Sequence, residues 1–318
     1  MKTGFGVIGV GVHGERHVIV YSSHRDVNLV AICDQNEKRS KEIAQKYHVE
    51  TYYTDYRKLL DDPRIAAVSV VTPDFAHREI VVAAAEKGKH ILVEKPFATT
   101  IEDAEAMVDA VTKNKVKLMV NLSNRWNPEF YMVKKSIEEG KIGIPLLIYL
   151  RCYDTIDCPL GLPWASKTSL LWWLGSHLVD LAMWFMNDEV QRVYGVARSK
   201  VLKEKGVNTP DFFEIMLEFK RGGVAVIELH WILPESFPTS NNFECELIGS
   251  EGSISTDLEM HRAIALYTKD KIIYPDLFMV TEIYGEHLGF PFRSIEYFVD
   301  CIVNNRQPMV GYKEGLLN

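Results

Sequence analysis

Phe5-Gly6-Val7-Ile8-Gly9-Val10-Gly11-Val12-His13-Gly14 opens the chain with an apolar run that passes straight into Gly-x-Gly-x-x-Gly. Read as strand, turn and helix start, this is the bend that lays a dinucleotide pyrophosphate on a helix N-terminus. Gly9 permits the tight turn, Gly11 lets backbone N–H groups approach the phosphates, and Gly14 lets the helix pack closely on the strand. With 20 glycines among 318 residues the spacing alone is weak, so the surroundings decide. Glu15 to Ser23 continues as a short helix. Val27 to Cys33 then reads as a second strand ending in Asp34, 20 residues past Gly14. An acidic side chain there accepts hydrogen bonds from a ribose hydroxyl and repels a 2′-phosphate. NAD is therefore favoured over NADP, although Arg39 weakens the preference. Gly9, Val10, Gly11, Val12, His13, Gly14 and Asp34 become cofactor-binding candidates; the competing reading is a β–α turn with no ligand.

Working outward, strand and helix patterns alternate through the first 120 residues. Helices are expected at Glu37–Tyr47, Tyr56–Leu60, His77–Lys87 and Ile101–Asn114, and strands at Glu50–Tyr53, Ala66–Val71, His90–Val93 and Lys117–Val120. Gly88 is the left-handed cap of the helix before it. This succession calls for a doubly wound α/β domain with a parallel sheet over residues 1–122. Beyond Pro145 strands dominate: Leu146–Tyr153, Val190–Ser199, Phe212–Phe219, Val224–Ile232, Phe243–Gly249 and Ala263–Thr268. Arg221-Gly222-Gly223 makes a hairpin turn. Helices at Leu171–Met186 and Arg293–Val303 interrupt the strands. Residues 123–318 are thus expected to form an α+β domain on a large, mainly antiparallel open sheet. An uncovered apolar sheet face is costly in water, so subunits are expected to pair through it as a homodimer or homotetramer.

Composition bounds the partners. The chain is 47% hydrophobic and 25% charged, ordinary for a globular protein. A net charge of −7 argues against nucleic acid, which needs a basic surface. No apolar run approaches the ~20 residues of a bilayer span, and the N-terminus enters a strand too soon for a signal peptide. Five scattered cysteines without a Cys-x-x-Cys pair read as reduced thiols in a cytoplasmic protein.

Three strand-end or helix-start groups could carry chemistry. Glu94-Lys95-Pro96 follows a strand, on the edge where doubly wound sheets bind ligands. There Lys95 can donate to an alcohol or alkoxide oxygen, and a cationic nicotinamide would lower its pKa; the bland reading is a solvated lysine. Thr72 and Pro73 line the same cleft, with His77 either beside them or simply opening its helix. His177 and Asp180 lie at i and i+3 in Gly175-Ser176-His177-Leu178-Val179-Asp180, sharing a helix face. A carboxylate-oriented imidazole suits proton transfer, and a core His–Asp pair is the alternative. No third ligand stands at metal spacing, so no metal site is read. Trp164, Trp172, Trp173 and Trp184 crowd this stretch as core, contact or a wall for a sugar ring. His13 and His17 are polar or packing residues beside the phosphates.

Together these features resemble the Gfo/Idh/MocA family of NAD(P)-dependent oxidoreductases. The glycine turn, Glu94-Lys95-Pro96, Asn124-Arg125-Trp126-Asn127-Pro128 and Gly175-x-His177-x-x-Asp180 stand in the family's order across essentially the whole chain. The resemblance implies a Rossmann domain followed by an α/β domain on an open sheet. It also implies hydride transfer between nicotinamide and a secondary hydroxyl, or ketone, of a sugar, glycoside or cyclitol. Lys95 and His177 would be catalytic. Glu94, Lys95 and Arg125 would join the cofactor set with Thr72, Pro73 and His77. Lys95, Arg125, Trp164, Trp173 and His177 would face the substrate.

One departure stands out. Members with the full signature carry an Asp four residues before the catalytic His, and this chain has Trp173 there. Asp154 or Asp157, from the preceding loop, is the candidate replacement carboxylate. Two rival functions follow: an NAD-dependent glycosidase working by transient oxidation and elimination, or a non-catalytic NAD-binding sensor. Lys313 to Asn318 reads as the opening of a helix, with more chain or a disordered tail expected beyond it.

Overall fold

Apolar runs with no polar alternation, such as Ala67-Val68-Ser69-Val70, are buried at every position, the signature of strands covered on both faces. In this computed structural model, which describes residues 2–237, 241–257, 264–270, 272–274 and 279–318, they build a six-stranded sheet. The elements are β1 (Thr3–Ile8), α1 (Val12–Ser23), β2 (Val27–Cys33), α2 (Glu37–Lys46), β3 (Thr51–Tyr53), α3 (Tyr56–Leu60), β4 (Ala67–Val70), α4 (His77–Glu86), β5 (His90–Glu94), α5 (Ile101–Asn114) and β6 (Leu118–Asn121). The strand order is β3-β2-β1-β4-β5-β6, with every pairing parallel. Asn36 caps α2 by accepting from the Arg39 N–H, and Thr100 caps α5 from its hydroxyl oxygen. Gly88 takes φ +69° after α4, as its sequence position requires. Chain direction around the sheet reverses between β1 and β4. That switch point opens the crevice where such sheets bind ligands, and it brings the ends of β1, β4 and β5 onto one edge.

The second unit, Asn124–Thr281, holds α6 (Pro128–Glu138), β7 (Pro145–Thr155), α7 (Asp157–Gly161), a π turn (Leu171–Gly175) leading into α8 (Ser176–Met186), β8 (Val190–Arg198), α9 (Val201–Glu204), β9 (Phe212–Phe219), β10 (Val224–Leu233), β11 (Asn241–Gly249) and β12 (Ser253–Asp257). Its sheet runs β12-β11-β7-β10-β9-β8. Only the β7–β10 pairing is parallel, so the sheet is mixed and mainly antiparallel. Period-2 alternation sends Ile148, Leu150, Ile227, Leu229 and Leu247 inward against Phe130 of α6 and Leu178, Leu181 and Phe185 of α8. The outer face carries apolar and charged groups together. Tyr149, Tyr194 and Val196 are exposed there, but Arg151 sits among them with Glu228 at 3.1 Å and Glu244 at 3.5 Å. The strand expected over Ala263–Thr268 is reduced to Leu266–Tyr267, and Ala263 lies outside the described residues.

Residues 282–318, expected in the second domain, pack in the first unit with Met1–Ser123. The reason is apolar burial. The helix α10 (Phe290–Val303) buries Phe292, Ile295, Phe298 and Val299, with Phe298 edge-on to Phe5 at 6.2 Å. Lys117 Nζ donates to Asn305 Oδ1 at 2.6 Å. The last helix, α11 (Tyr312–Leu317), seats Gly315 against Phe97 and Val120. Among the described residues, no helix is long and apolar enough to cross a membrane.

Candidate active site

Backbone geometry at the glycine turn separates structural from ligand-facing positions. Gly9 takes φ +89°, and a Cβ there would fall 2.3 Å from the Val71 carbonyl oxygen. At Gly14 a Cβ would meet the Gly9 carbonyl oxygen at 1.9 Å. Both contacts weld α1 to the sheet. A Cβ on Gly11, by contrast, would meet nothing within 4 Å, and Gly11 is the N-cap of α1 with no side-chain cap bond. The first N–H groups of α1 therefore face open space with their partial positive charge. Thr72 Oγ1, just past β4, is buried without a hydrogen-bond partner among the described residues. An open cradle of donors beside an orphaned hydroxyl fits a diphosphate. The Val10 side chain is buried, while Val12 and His13 are exposed beside the turn.

Asp34 joins this turn to the next helix. Its Oδ2 accepts from the Val10 N–H and its Oδ1 from the Asn36 N–H, each at 2.9 Å. Each oxygen keeps a second lone pair, so the carboxylate is held rigidly and can still receive ribose hydroxyls. Arg39 packs on the other side of Val10, donating from Nε to its carbonyl at 2.9 Å and from Nη2 to Glu15 Oε2 at 2.5 Å. Glu15 also accepts from Lys46 Nζ and the Tyr47 hydroxyl, each at 2.8 Å. Burial alone would raise the Glu15 pKa, but these three donors overcome it and bring it down to about 2.

At the end of β5, Glu94 precedes the cis Lys95–Pro96 bond and anchors a buried chain. Glu94 Oε1 accepts from Asn121 Nδ2 at 2.6 Å and lies 3.0 Å from His17 Nε2. His17 Nδ1 lies 2.9 Å from Ser69 Oγ, which is 2.6 Å from the Tyr21 hydroxyl. One donor order satisfies every group: Tyr21 donates to Ser69, Ser69 to His17, and His17 to Glu94. Burial pushes the Glu94 carboxyl upward, yet the His17 and Asn121 contacts outweigh it and hold Glu94 well below the usual carboxylate range. Lys95 thus leaves a strand end fixed from four elements, α1, β4, β5 and β6. His77, expected either in the cofactor cleft or as a helix opener, is a buried clamp. Its Nδ1 is 3.0 Å from the Pro96 carbonyl and its Nε2 3.1 Å from the Thr72 carbonyl. Burial keeps its pKa below the ordinary value, against the pull of those carbonyls. The neutral ring donates to one at a time and ties the β4 and β5 exits together.

The remaining candidates lie in the second unit. His177 stands half-buried in the first turn of α8, directly after the π turn, a deformation common at functional sites. The Asp180 carboxylate, read as a possible partner of His177, takes Arg125 from the segment before α6. The guanidinium donates from Nη2 at 2.6 Å and from Nε at 3.0 and 3.2 Å and lies 5.5 Å from the Trp184 ring. Trp184 stacks on Phe185 at 5.5 Å, which makes it packing. Trp173 donates its indole N–H to Asp154 Oδ2 at 2.8 Å, and Asn241 Nδ2 donates to Oδ1 at 2.7 Å. Asp154 lies in β7, not in a loop, and is buried; Asp157 is exposed at the start of α7. Trp164 meets Trp173 edge to face at 6.0 Å. Lys95, Thr72, Pro73 and His77 therefore gather in the first unit, and Arg125, Trp164, Trp173 and His177 in the second. The His17–Ser69–Tyr21 chain and Asn241 escaped the sequence reading, because each bond spans 48 to 87 residues.

Comparison with known proteins bears on both units. Residues 3–122 match the family model described as oxidoreductase family, NAD-binding Rossmann fold, and residues 130–255 match the Gfo/Idh/MocA C-terminal domain. A myo-inositol 2-dehydrogenase of Thermotoga maritima is 32% identical over 70% of this chain and 67% of its own. A levoglucosan dehydrogenase of Pseudarthrobacter phenanthrenivorans is 30% identical over 80% and 73%. The crystal structure of a probable dehydrogenase from Thermotoga maritima superposes with a TM-score of 0.83 at 25% identity, covering 99% of this chain and 92% of that one. The chain belongs to the Gfo/Idh/MocA family of oxidoreductases with an NAD-binding Rossmann domain.

Proposed function

We propose that the protein is an NAD-dependent dehydrogenase that moves hydride between nicotinamide and a secondary hydroxyl, or ketone, of a sugar, glycoside or cyclitol. The observation that carries this reading is the C-terminal edge of the parallel sheet. There the open cradle at Gly11 and Lys95, at the exit of β5, flank the switch point. Bound nicotinamide would supply the hydride acceptor. The turn from Gly9 to Gly14 and Thr72 would hold the diphosphate, with Asp34 on the ribose. Lys95 would donate to the carbinol oxygen and stabilise the developing alkoxide. His177 would take the hydroxyl proton. Relatives named as dehydrogenases of myo-inositol and of levoglucosan support a polyol or sugar substrate.

Trp164 and Arg125, the latter held by Asp180, would contact the substrate. Trp173 refines the substrate. Its indole occupies the position where the full family signature has a carboxylate, and its N–H is spent on Asp154. An indole face packs on sugar C–H groups, so the substrate should present a C–H face there rather than one more hydroxyl. Five cysteines outside any disulfide, four of them buried, support a cytoplasmic location. The exposed Tyr149, Tyr194 and Val196 on the outer sheet face support pairing of two copies through it, as a dimer or tetramer. Light scattering that finds only monomer at micromolar concentration would remove that part.

The test is a panel of sugars, glycosides and cyclitols with NAD and NADP, followed by absorbance of the reduced nucleotide. Lys95→Ala should lower kcat by ~10²-fold or more while leaving the NADH Kd nearly unchanged; equal turnover dismisses Lys95 from the chemistry. Aglycone release without accumulating NADH would replace the dehydrogenase by an elimination glycosidase. Nucleotide binding with no turnover on any substrate would leave a sensor.

A further inference from the structure

A charge cluster on the first turn of α1 and along α2 has no part in the chemistry above. Glu15 Oε2 takes Arg39 Nη2, and Glu15 Oε1 takes both Lys46 Nζ and the Tyr47 hydroxyl. Arg39 Nε is committed to the Val10 carbonyl, and the Val10 N–H is committed to Asp34. One residue of the phosphate turn is therefore gripped from one side by an acid and from the other by an arginine. In doubly wound sheets the adenine-side ribose is read at the end of the second strand. An acidic residue suits a free 2′-hydroxyl, and a nearby arginine accommodates a 2′-phosphate. This chain places both readers on Val10, and Glu15 pairs with the arginine.

We propose that Glu15 sequesters Arg39 and Lys46 and so sets selectivity for NAD over NADP, leaving a latent 2′-phosphate site beneath it. The inference rests on the dinucleotide reading of the turn and adds a residue outside the glycine motif to it. A 2′-phosphate brings close to two negative charges toward Asp34 and Glu15. At Arg39 it meets a guanidinium already paired with a carboxylate at 2.5 Å, so it gains little net attraction there and faces that carboxylate's repulsion. Glu15 stays ionised throughout the working pH range, since its donors bring its pKa down to about 2. Replacing that carboxylate by a neutral amide removes the competitor and a repulsive charge together. Arg39 is then free to form the bidentate pair that guanidinium makes with phosphate.

The test is binding to the intact protein, with no substrate needed. NADH and NADPH are titrated by fluorescence, and adenosine 2′,5′-bisphosphate, which carries the 2′-phosphate but no nicotinamide, is used as a competitor. The native protein should prefer NADH. Glu15→Gln should tighten NADPH and the bisphosphate by about tenfold, the scale of one charge-assisted contact. NADH should change by less than about threefold, and adding Arg39→Leu should erase the gain. Should the Gln variant not fold, Glu15→Asp, one methylene shorter, should give a smaller gain of the same sign. An unmoved preference, or equal changes for both nucleotides, overturns the inference while leaving the dinucleotide reading intact. Failure of the native protein to bind NADH overturns both.

Discussion

Gly11→Ala and Gly14→Ala differ by one methyl at neighbouring turns of the same motif, and the structure assigns them opposite consequences. At Gly11 the backbone, φ −64° and ψ −162°, is open to alanine, and the new Cβ meets nothing within 4 Å. The folding cost is then only the poorer N-cap, about 0.5–1 kcal/mol, or a Tm drop of about 1–4 °C for a unit of this size. The methyl nevertheless stands where phosphate oxygens must come within ~2.9 Å of the N–H groups. Losing one such charge-assisted bond costs about 1.5–3 kcal/mol, so NADH affinity should fall ~10- to 100-fold. At Gly14 the methyl would lie 1.9 Å from a backbone oxygen that cannot yield, which should cost ~3 kcal/mol or more and lower both stability and binding. Thermal melts and NADH titration of the two variants check this. An unchanged NADH Kd in Gly11→Ala, or a Tm loss matching Gly14→Ala, would refute the assignment of Gly11 to the phosphates.

Other outcomes follow from single contacts. Arg125→Leu leaves the Asp180 carboxylate, 3% exposed, without its cation; it should cost ~3–5 kcal/mol by urea melt, with Asp180→Leu in the same chain restoring much of it. Trp173→Phe removes the indole donor that reaches Asp154 Oδ2 at 2.8 Å. It should cost ~1–3 kcal/mol and raise KM for the best substrate; unchanged stability and KM would dismiss the pair. Gly315→Ala would put a Cβ 2.8 Å from Val120 Cγ2 and 2.9 Å from the Phe97 ring, so α11 should lift at a cost of ~1–3 kcal/mol, seen as faster amide exchange there. Glu15 has a folded pKa depressed to about 2 from 4.5. Its contribution is complete above about pH 4.5 and is lost as pH falls toward 2, up to ~2 kcal/mol after allowing for the exposed Lys46. Urea midpoints at pH 5 and pH 3 should therefore converge in Glu15→Gln relative to the native protein.

Local signals carried most of the fold. Val27–Cys33, Tyr56–Leu60, Ile101–Asn114 and Phe212–Phe219 form where the sequence pattern puts them, because burial on both faces or on one stripe leaves a fixed period. The α6 helix escaped although its start is written in Asn127-Pro128-Glu129, with the Asn127 side chain accepting from the Glu129 N–H at 2.9 Å. Long-range choices were not legible. Nothing local announces that Asp180 takes Arg125, 55 residues away. Nor does the sequence near Asn305 announce a bond to Lys117, 188 residues upstream, which is why the return of residues 282–318 to the first unit went unread. The π turn at Leu171–Gly175 likewise has no composition signal in an otherwise helical apolar stretch.

The central proposal is that Lys95 and His177 act on a single hydroxyl beside nicotinamide. A crystal structure with NAD and the polyol that best reduces it measures this most directly. The account predicts Lys95 Nζ and a His177 ring nitrogen both within about 3.2 Å of the same carbinol oxygen. Separation of the two groups by more than ~10 Å across the bound ligand, too far for both to reach one oxygen, would contradict it.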